Sequence, residues 1–361
     1  MRSSAMLKST LAALLLGFFA LNFMACEGPE GPEGPAGPAG VAGAQGDKGD
    51  KGDTGDAGQD GQDGLDGSTR CESCHDVSAT ITGIENQWAN STHKMGGNYE
   101  RNGTSCAQCH THEGFVEYLE TGGVAAPPSN PSMVQCRTCH NIHKDYAPSD
   151  YSFKTTAAVT MWNGDMYDKG KSNLCATCHQ PRSISPWPEV GGPDVEVTSI
   201  RFGPHHGPQS ALLSGQGGYE VPGSLPYTNT PHYAMITDGC VTCHMQEAYG
   251  SQAGGHTMHM AYEYHGSTRE NTASCQTCHS GLDNFDLNGA STAAVDLGAQ
   301  LRVLLEAQGL LDDEGYAIPG TMTADQAGAL MNYRYIILED RSKGIHNPKY
   351  AKALLQNSIE A

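Results

Sequence analysis

A five-residue pattern, Cys-x-x-Cys-His, occurs six times in this chain of 361 residues and constrains its fold more than any other feature. Twelve of the 13 cysteines belong to these copies. On a helical turn, residues i, i+3 and i+4 share one face, so each copy directs two thiols and one imidazole to the same side. The fold must therefore present six such faces to one kind of partner. The cysteine pairs are Cys71 and Cys74, Cys106 and Cys109, Cys136 and Cys139, Cys175 and Cys178, Cys240 and Cys243, and Cys275 and Cys278, and the histidines after them are His75, His110, His140, His179, His244 and His279.

This spacing predicts covalent attachment of haem c. Two thiols can form thioethers with the two haem vinyl groups while the adjacent imidazole binds the iron as the proximal ligand. Zinc ribbons also use Cys-x-x-Cys pairs, but tetrahedral zinc ligation does not require a histidine directly after each second cysteine. Disulfides, which are common in exported proteins, would also leave those histidines unexplained. We therefore predict six haem c groups, with their iron, as the cofactors.

Composition favours a fold that is built around these cofactors. The chain has 45 glycines and only 7% aromatic residues, which is poor material for a conventional aliphatic core. We predict a mostly α fold with extensive irregular loops wrapped around stacked haems, and little β-sheet. Glycine and proline between residues 181 and 240 indicate loops with short helical turns.

The C-terminal part shows helical patterns instead. Apolar residues recur at a helical period between Ser291 and Leu311. A second helix is predicted to start at Thr323, with Gln326 completing a capping box, and to run through Ile337. Asn347 followed by proline predicts the start of a third helix. We place the hexahaem domain at residues 68–290 and a C-terminal helical segment that packs on it at residues 291–361.

Ten histidines lie outside the motifs and are candidates for the six distal iron ligands. Four runs that contain such histidines resemble segments of the superfamily that includes pentahaem nitrite reductases, hydroxylamine oxidoreductases and octahaem reductases: 87–93, 203–209, 254–257 and 344–348. The resemblance implies His93, His232, His256 and His346 as distal ligands, together with one of His205 and His206. We predict His206, with His205 as the alternate.

His143 is the sixth candidate, because a ligand three residues beyond one haem's histidine can serve a neighbouring haem. His112 competes with His143, and His259 or Met258 competes with His256. These surplus histidines, with His265, are interpreted as surface residues or as residues that support the ligands. In a reductase they could instead be catalytic acids.

Two functions follow from the ligands. If all six irons have two histidine ligands, the chain is an electron carrier, and a filament-forming version of it is a further alternative. If one distal position is vacant, the chain is a reductase of a small oxyanion, nitrogen or sulfur compound. The nitrite reductases of the superfamily mark the active haem with Cys-x-x-Cys-Lys, which does not occur here. We therefore favour the electron carrier and assign no catalytic residue.

The N-terminal residues predict export and membrane anchoring. Residues 1–25 combine two basic residues with an apolar run, as in a signal peptide. This run ends at Cys26, which resembles the lipidated cysteine of bacterial lipoproteins, although an ordinary signal peptide with a stray cysteine is an alternative. Lipidation would anchor the chain without spanning the membrane. We predict an exported protein at the outer membrane or cell surface.

Glycine occupies every third position from Gly28 to Gly67, fourteen times without a break. This is the period of collagen, in which only glycine fits at the axis of the triple helix. Residues 26–67 therefore predict either a homotrimeric rod of about 120 Å or a monomeric acidic spacer.

Residues 68–361 carry a net charge of −13. That charge argues against nucleic acid and favours basic redox proteins or extracellular electron acceptors and donors as partners.

Overall fold

The computed structural model describes Cys71, Glu72, His75 and residues 79–361. These residues belong to one structural unit, Asp63–Ala361. The predicted signal peptide, Cys26, the collagen-like segment and Cys74 lie outside the described residues. None of the helices in the described part of the chain is long and apolar enough to cross a membrane.

The helices that carry the haem motifs are short. The second motif ends helix α3, the third contains α5, the fourth overlaps α6 and the fifth lies in α9, while the sixth overlaps a 3₁₀ turn, Ala273–Thr277. These turns give the shared face for two thiols and one imidazole. The helices up to the fifth motif are α1 (Ala79–Ala89), α2 (Thr92–Met95), α3 (Thr104–His110), α4 (His112–Thr121), α5 (Cys136–Cys139), α6 (Asn173–Ala176), α7 (Gln209–Ser214), α8 (His232–Met235) and α9 (Gly239–His244).

Sheet structure in the described residues is confined to three antiparallel pairs of short strands. Two pairs are local hairpins, and the third joins β3 to β6, with Val195 opposite Met322. The prediction of a mostly helical fold with irregular loops and little sheet is confirmed for these residues. The strands are β1 (Val159–Thr160), β2 (Met166–Tyr167), β3 (Val195–Val197), β4 (Ala261–Tyr264), β5 (Ser267–Glu270) and β6 (Gly320–Met322).

The C-terminal helices are longer, and each is close to its predicted position. Helix α10 (Ala290–Ala307) ends four residues before the expected Leu311, at a turn where Gly309 has a φ of 68°. Helix α11 (Ala324–Tyr333) starts with the predicted capping box of Thr323 and Gln326. Its α geometry does not reach Ile337 but gives way to a π-helical turn, Arg334–Glu339.

Helix α12 (Pro348–Glu360) has Asn347 as its N-cap, and the Asn347 side chain accepts a hydrogen bond from the Tyr350 backbone N–H. Asn347 also accepts from the backbone N–H of Thr230 at 3.0 Å. One cap residue therefore starts the last helix and ties it to the loop before α8.

The apolar core joins this C-terminal part to the middle of the chain. It includes Met161, Leu212 and Val221 from the middle, and Leu330 and Leu354 from α11 and α12. Buried tyrosines add bulk and place their hydroxyls on polar partners, as buried tyrosines usually do. Tyr335, for example, donates to the Gln216 carbonyl oxygen at 2.6 Å. The two regions thus share one core, while the predicted boundary at residue 290 stays a prediction.

Candidate functional site

A single large cavity collects the motif residues. Its volume is about 2230 Å³, whereas ordinary ligand pockets measure about 300–1,000 Å³. All eleven described motif cysteines and all six motif histidines line it. These eleven cysteines are free of disulfides. The thiols and imidazoles therefore face a common space large enough for several bulky groups.

Each motif histidine faces one other histidine across this cavity. The six pairs of ring centroids are separated by nearly the same distance, although the partners come from different parts of the chain. In the order of the motifs, the pairs are His75 and His143 (6.1 Å), His110 and His205 (6.3 Å), His140 and His256 (6.3 Å), His179 and His93 (6.0 Å), His244 and His346 (6.2 Å), and His279 and His232 (6.2 Å).

This separation suits a metal ion between two imidazoles. A metal–imidazole nitrogen bond is about 2 Å long, and the centroid of the ring lies about 1 Å beyond that nitrogen. Two imidazoles on opposite sides of one iron thus have centroids about 6 Å apart. Together with the eleven described motif thiols and the size of the cavity, the histidine pairs fit haem c.

Local structure positions the partner histidines. His93 and His232 lie on the short helices α2 and α8. His256 lies in a 3₁₀ turn, and its backbone N–H donates to Gln87 Oε1 at 3.0 Å. His143 has a left-handed backbone, with a φ of 67°, and its ring stacks on Tyr146 at 5.5 Å. Of the two sequence candidates for this position, it is therefore His143 that faces a motif histidine.

The structure favours His205 over His206, which is the reverse of the prediction from the sequence. The His205 ring faces His110, whereas His206 Nδ1 lies 2.5 Å from Glu339 Oε2. Glu339 is buried and also pairs with Arg334 at 3.3 Å. The carboxylate therefore holds His206 away from the motif ring, and the geometry favours the alternate, His205.

The remaining histidines have other contacts. His112 Nδ1 lies 2.9 Å from Thr138 Oγ1, and His112 does not line the cavity. His259 does line the cavity, but its Nε2 lies 3.1 Å from Thr92 Oγ1, beside α2. His265 is in the turn between β4 and β5 and packs edge-on against Tyr264. These three side chains support neighbouring segments and face no motif histidine.

Burial keeps most of the facing histidines neutral. It lowers the pKa of His93 to about 4, with further lowering by the charges of His179 and His259. Burial is also the main cause that lowers the pKa of His205 to about 4. The pKa of His232 and that of His256 are lowered for the same reason. Neutral imidazole is the form that binds metals, so these rings are ready to act as ligands at neutral pH.

Hydrogen bonds fix the orientation of several motif rings. His140 Nδ1 donates to the Tyr151 carbonyl oxygen at 2.6 Å, and His244 Nδ1 donates to that of Met258 at 2.9 Å. His179 Nδ1 lies 3.1 Å from Gln209 Oε1. With the proton on Nδ1, the Nε2 lone pair is free to bind iron, which is the usual arrangement for a metal-binding histidine.

Known proteins resemble this chain in its collagen-like segment and in a second, longer segment. Residues 25–70 match the collagen triple helix repeat. Two curated relatives, C-type polyheme cytochromes OmcB from Geobacter sulfurreducens strains DL-1/KN400 and ATCC 51573/DSM 12127/PCA, are each 28% identical over 134 residues. The match covers 33% of this chain and 18% of each relative. No solved structure matches the chain.

The collagen-like assignment is thereby confirmed, and the resemblance to a polyhaem cytochrome supports the reading of the motifs. It leaves the number of haems, the signal peptide and the lipid anchor as predictions. The polyheme cytochromes OmcB are much longer than the segment that matches this chain.

Contacts between motif cysteines connect the second, fourth and fifth sites. Cys178 Sγ lies 3.7 Å from the Gln108 carbonyl oxygen and beside the Cys109 thiol. The Cys175 and Cys240 thiols are neighbours in the same way. The fourth motif therefore lies directly between the second and the fifth.

The other motifs extend this arrangement. Cys243 of the fifth motif lies near Cys275 of the sixth. Cys139 of the third motif lies near Cys175 and Cys178 of the fourth. His143, which follows the third motif, faces the His75 ring of the first. All six sites are thus linked, with the fourth motif as the branch point.

Three residues around the sites had not been identified from the sequence: Tyr146, Glu339 and Asp340. Asp340 Oδ1 lies 2.6 Å from His346 Nδ1, and its charge raises the pKa of that histidine although burial acts to lower it. The sequence alone does not indicate that a carboxylate near the end of an apolar helix contacts a histidine ring. The π-helical turn ends at Glu339, directly before Asp340, and both acids line the cavity.

Proposed function

We propose that this chain is an electron-transfer protein that relays electrons through six c-type haems, each with two histidine ligands. The observation that carries the proposal is that all six motif histidines face a second histidine at 6.0–6.3 Å. The similarity to a polyheme cytochrome over part of the chain supports it. Haem iron supplies reversible one-electron oxidation and reduction when it is bound.

The chain's own residues attach and orient the cofactors in this proposal. The motif cysteines form the thioethers, and the motif histidines are the proximal ligands. The facing histidines are the distal ligands, with His205 in place of His206. They are His143 for the first motif, His205 for the second, His256 for the third, His93 for the fourth, His346 for the fifth and His232 for the sixth.

Continuity between sites supports a relay rather than six separate centres. The linked motifs share one cavity, and the fourth is in contact with both the second and the fifth. The reductase alternative needs a motif histidine that faces no ligand, and each of the six faces one. An electron carrier is therefore the function that this geometry supports best.

Electron paramagnetic resonance of the native protein tests this proposal. We expect low-spin ferric signals for all six irons, a haem-to-protein ratio of six, and no spectral change on adding nitrite or cyanide. A high-spin ferric signal, or a shift with either ligand, would show a vacant site and would replace the relay with the reductase alternative.

The N-terminal residues suggest where the relay acts. We propose that Cys26 is lipidated and that the collagen-like segment forms a trimeric stalk, so that the haem domains are held away from the surface of an envelope membrane. Their acidic charge favours a basic redox partner or an extracellular electron acceptor or donor. Sedimentation of the full chain should give the mass of a trimer, and circular dichroism should show a cooperative triple-helix transition. A monomer without that transition would contradict the stalk.

A further inference from the structure

Asp340 is a buried carboxylate directly behind one of the facing histidines. Its side chain is fully shielded from solvent, and its Oδ1 lies 2.6 Å from His346 Nδ1. Its other oxygen, Oδ2, accepts hydrogen bonds from the backbone N–H of Ser342 at 3.1 Å and from the Ser342 hydroxyl. The residue follows the π-helical turn Arg334–Glu339, a kind of distortion that is frequent at functional sites.

This contact differs from those of the other rings in the six pairs. His140, His179 and His244 place Nδ1 against neutral oxygens, two backbone carbonyls and one side-chain amide. The neighbouring acid, Glu339, contacts His206, which faces no motif histidine. Among the described residues, the His244 and His346 pair is therefore the one in which a paired ring hydrogen-bonds to an anion.

A carboxylate behind a ligand makes that ligand more basic. It holds the Nδ1 proton strongly and shifts electron density toward Nε2, which faces the metal. A more basic ligand stabilises ferric iron relative to ferrous iron and so lowers the reduction potential. Burial strengthens the effect, because the charge of Asp340 is poorly screened by water.

We propose that Asp340 is a positioning residue that gives the haem of the fifth motif the lowest reduction potential of the six. The inference rests on the proposed function, because it requires His346 as the distal ligand. His244 and His346 would hold this haem, which would supply reversible one-electron chemistry, and Asp340 would act on it only through its hydrogen bond with His346 Nδ1. The fifth motif lies between the fourth and the sixth. An electron that passes along the relay would therefore cross a haem of lower reduction potential than its two neighbours.

The direct test is Asp340→Asn in the full haem-loaded chain, followed by a spectroelectrochemical redox titration. Asparagine keeps the size and an acceptor oxygen but removes the charge. We expect the reduction equilibrium of the lowest-potential haem to become about tenfold more favourable, an upward shift of about 59 mV for a one-electron couple. The other five steps should stay nearly in place.

Glu339→Gln is the matched control, since it removes an adjacent buried carboxylate that contacts a histidine outside the six pairs. We expect it to leave the lowest-potential step in place. An equal shift in both variants would show a general effect of buried charge and would overturn the assignment. An unchanged lowest step in Asp340→Asn would overturn it as well.

Ser342→Ala provides a test that does not remove the carboxylate. Without the hydroxyl donor, more of the charge of Asp340 acts on His346, so we expect the lowest step to move downward. A shift in the other direction would contradict the proposal, and this variant decides the question if Asp340→Asn fails to load six haems. The two ideas fail separately: a high-spin signal in the native protein removes the relay, whereas unmoved potentials with six low-spin haems remove only the role of Asp340.

Discussion

Residues 79–289, which carry five of the six motifs, and the C-terminal residues 290–361 bury their side chains in different ways. In the first region, short helices direct thiols and imidazoles into a cavity. In the second, α10, α11 and α12 pack leucines, alanines and tyrosines against one another and against the middle of the chain. The first region therefore surrounds a cavity that the proposed haems would fill, while the second lies mostly in the apolar core that the two regions share.

The second region also serves the first. Its π-helical turn carries Glu339 and Asp340 to the cavity, and the loop before α12 carries His346. A well-packed segment can hold ligands and their partners within narrow limits, since their own rotamers are fixed by packing. We call residues 290–361 the platform, because they hold ligands in place. We call residues 79–289 the container, because they form most of the wall of the cavity.

The largest expected effect comes from removing one attachment at the branch point. The double variant Cys175→Ser with Cys178→Ser should bind five haems and lose more stability than any single core variant, because the fourth motif contacts the second and the fifth. Haem-to-protein ratio and thermal unfolding measure both effects. Thr177→Ser, inside the same motif, is the control. Retention of six haems in the double variant would contradict the assigned attachment.

A core substitution in the platform should act on stability and spare the haems. Leu330 in α11 is fully buried, so Leu330→Ala should lower the free energy of unfolding by about 2–5 kcal/mol. Val303 in α10 is 64% exposed, and Val303→Ala should change the free energy of unfolding by less than about 0.5 kcal/mol. Chemical denaturation measures both. Haem loss in correctly folded Leu330→Ala would show that the two regions are not separate in role.

A ligand substitution inside the container should instead change the spin state. His256→Ala should leave the third haem without its distal ligand, giving a high-spin ferric signal and cyanide binding at one site in six. His259→Ala is the matched control, because His259 lines the same cavity but contacts Thr92. If the two variants exchanged these results, the distal ligand would be His259.

Much of the platform was predictable, because its signals are local. The capping box at Thr323 and Gln326 and the cap at Asn347 are each written in a few consecutive residues, and both are present in the structure. The π-helical turn was not predictable. It depends on how α11 packs, and the apolar pattern there runs on as if the α-helix continued to Ile337.

In the container, the motifs were evident but their partners were not. His93 and His179 are far apart in the chain, so their pairing depends on tertiary packing around the cavity. The choice between His205 and His206 depends on Glu339, more than a hundred residues away in the chain. Sequence reasoning can therefore name candidate ligands, whereas long-range contacts decide which ring faces which motif.

The smallest expected effect tests whether the platform relies on its local signals. Thr323→Ala removes the side-chain acceptor for the Gln326 backbone N–H at the start of α11 and should cost about 1 kcal/mol of stability. Thr323→Ser keeps the hydroxyl and should stay close to the wild type. Denaturant titration resolves a difference of this size, and the haem potentials should not move in either variant. If Thr323→Ala shifted the lowest potential, the start of α11 would be coupled to Asp340 at its far end, and the platform would influence the haems beyond holding their ligands in place.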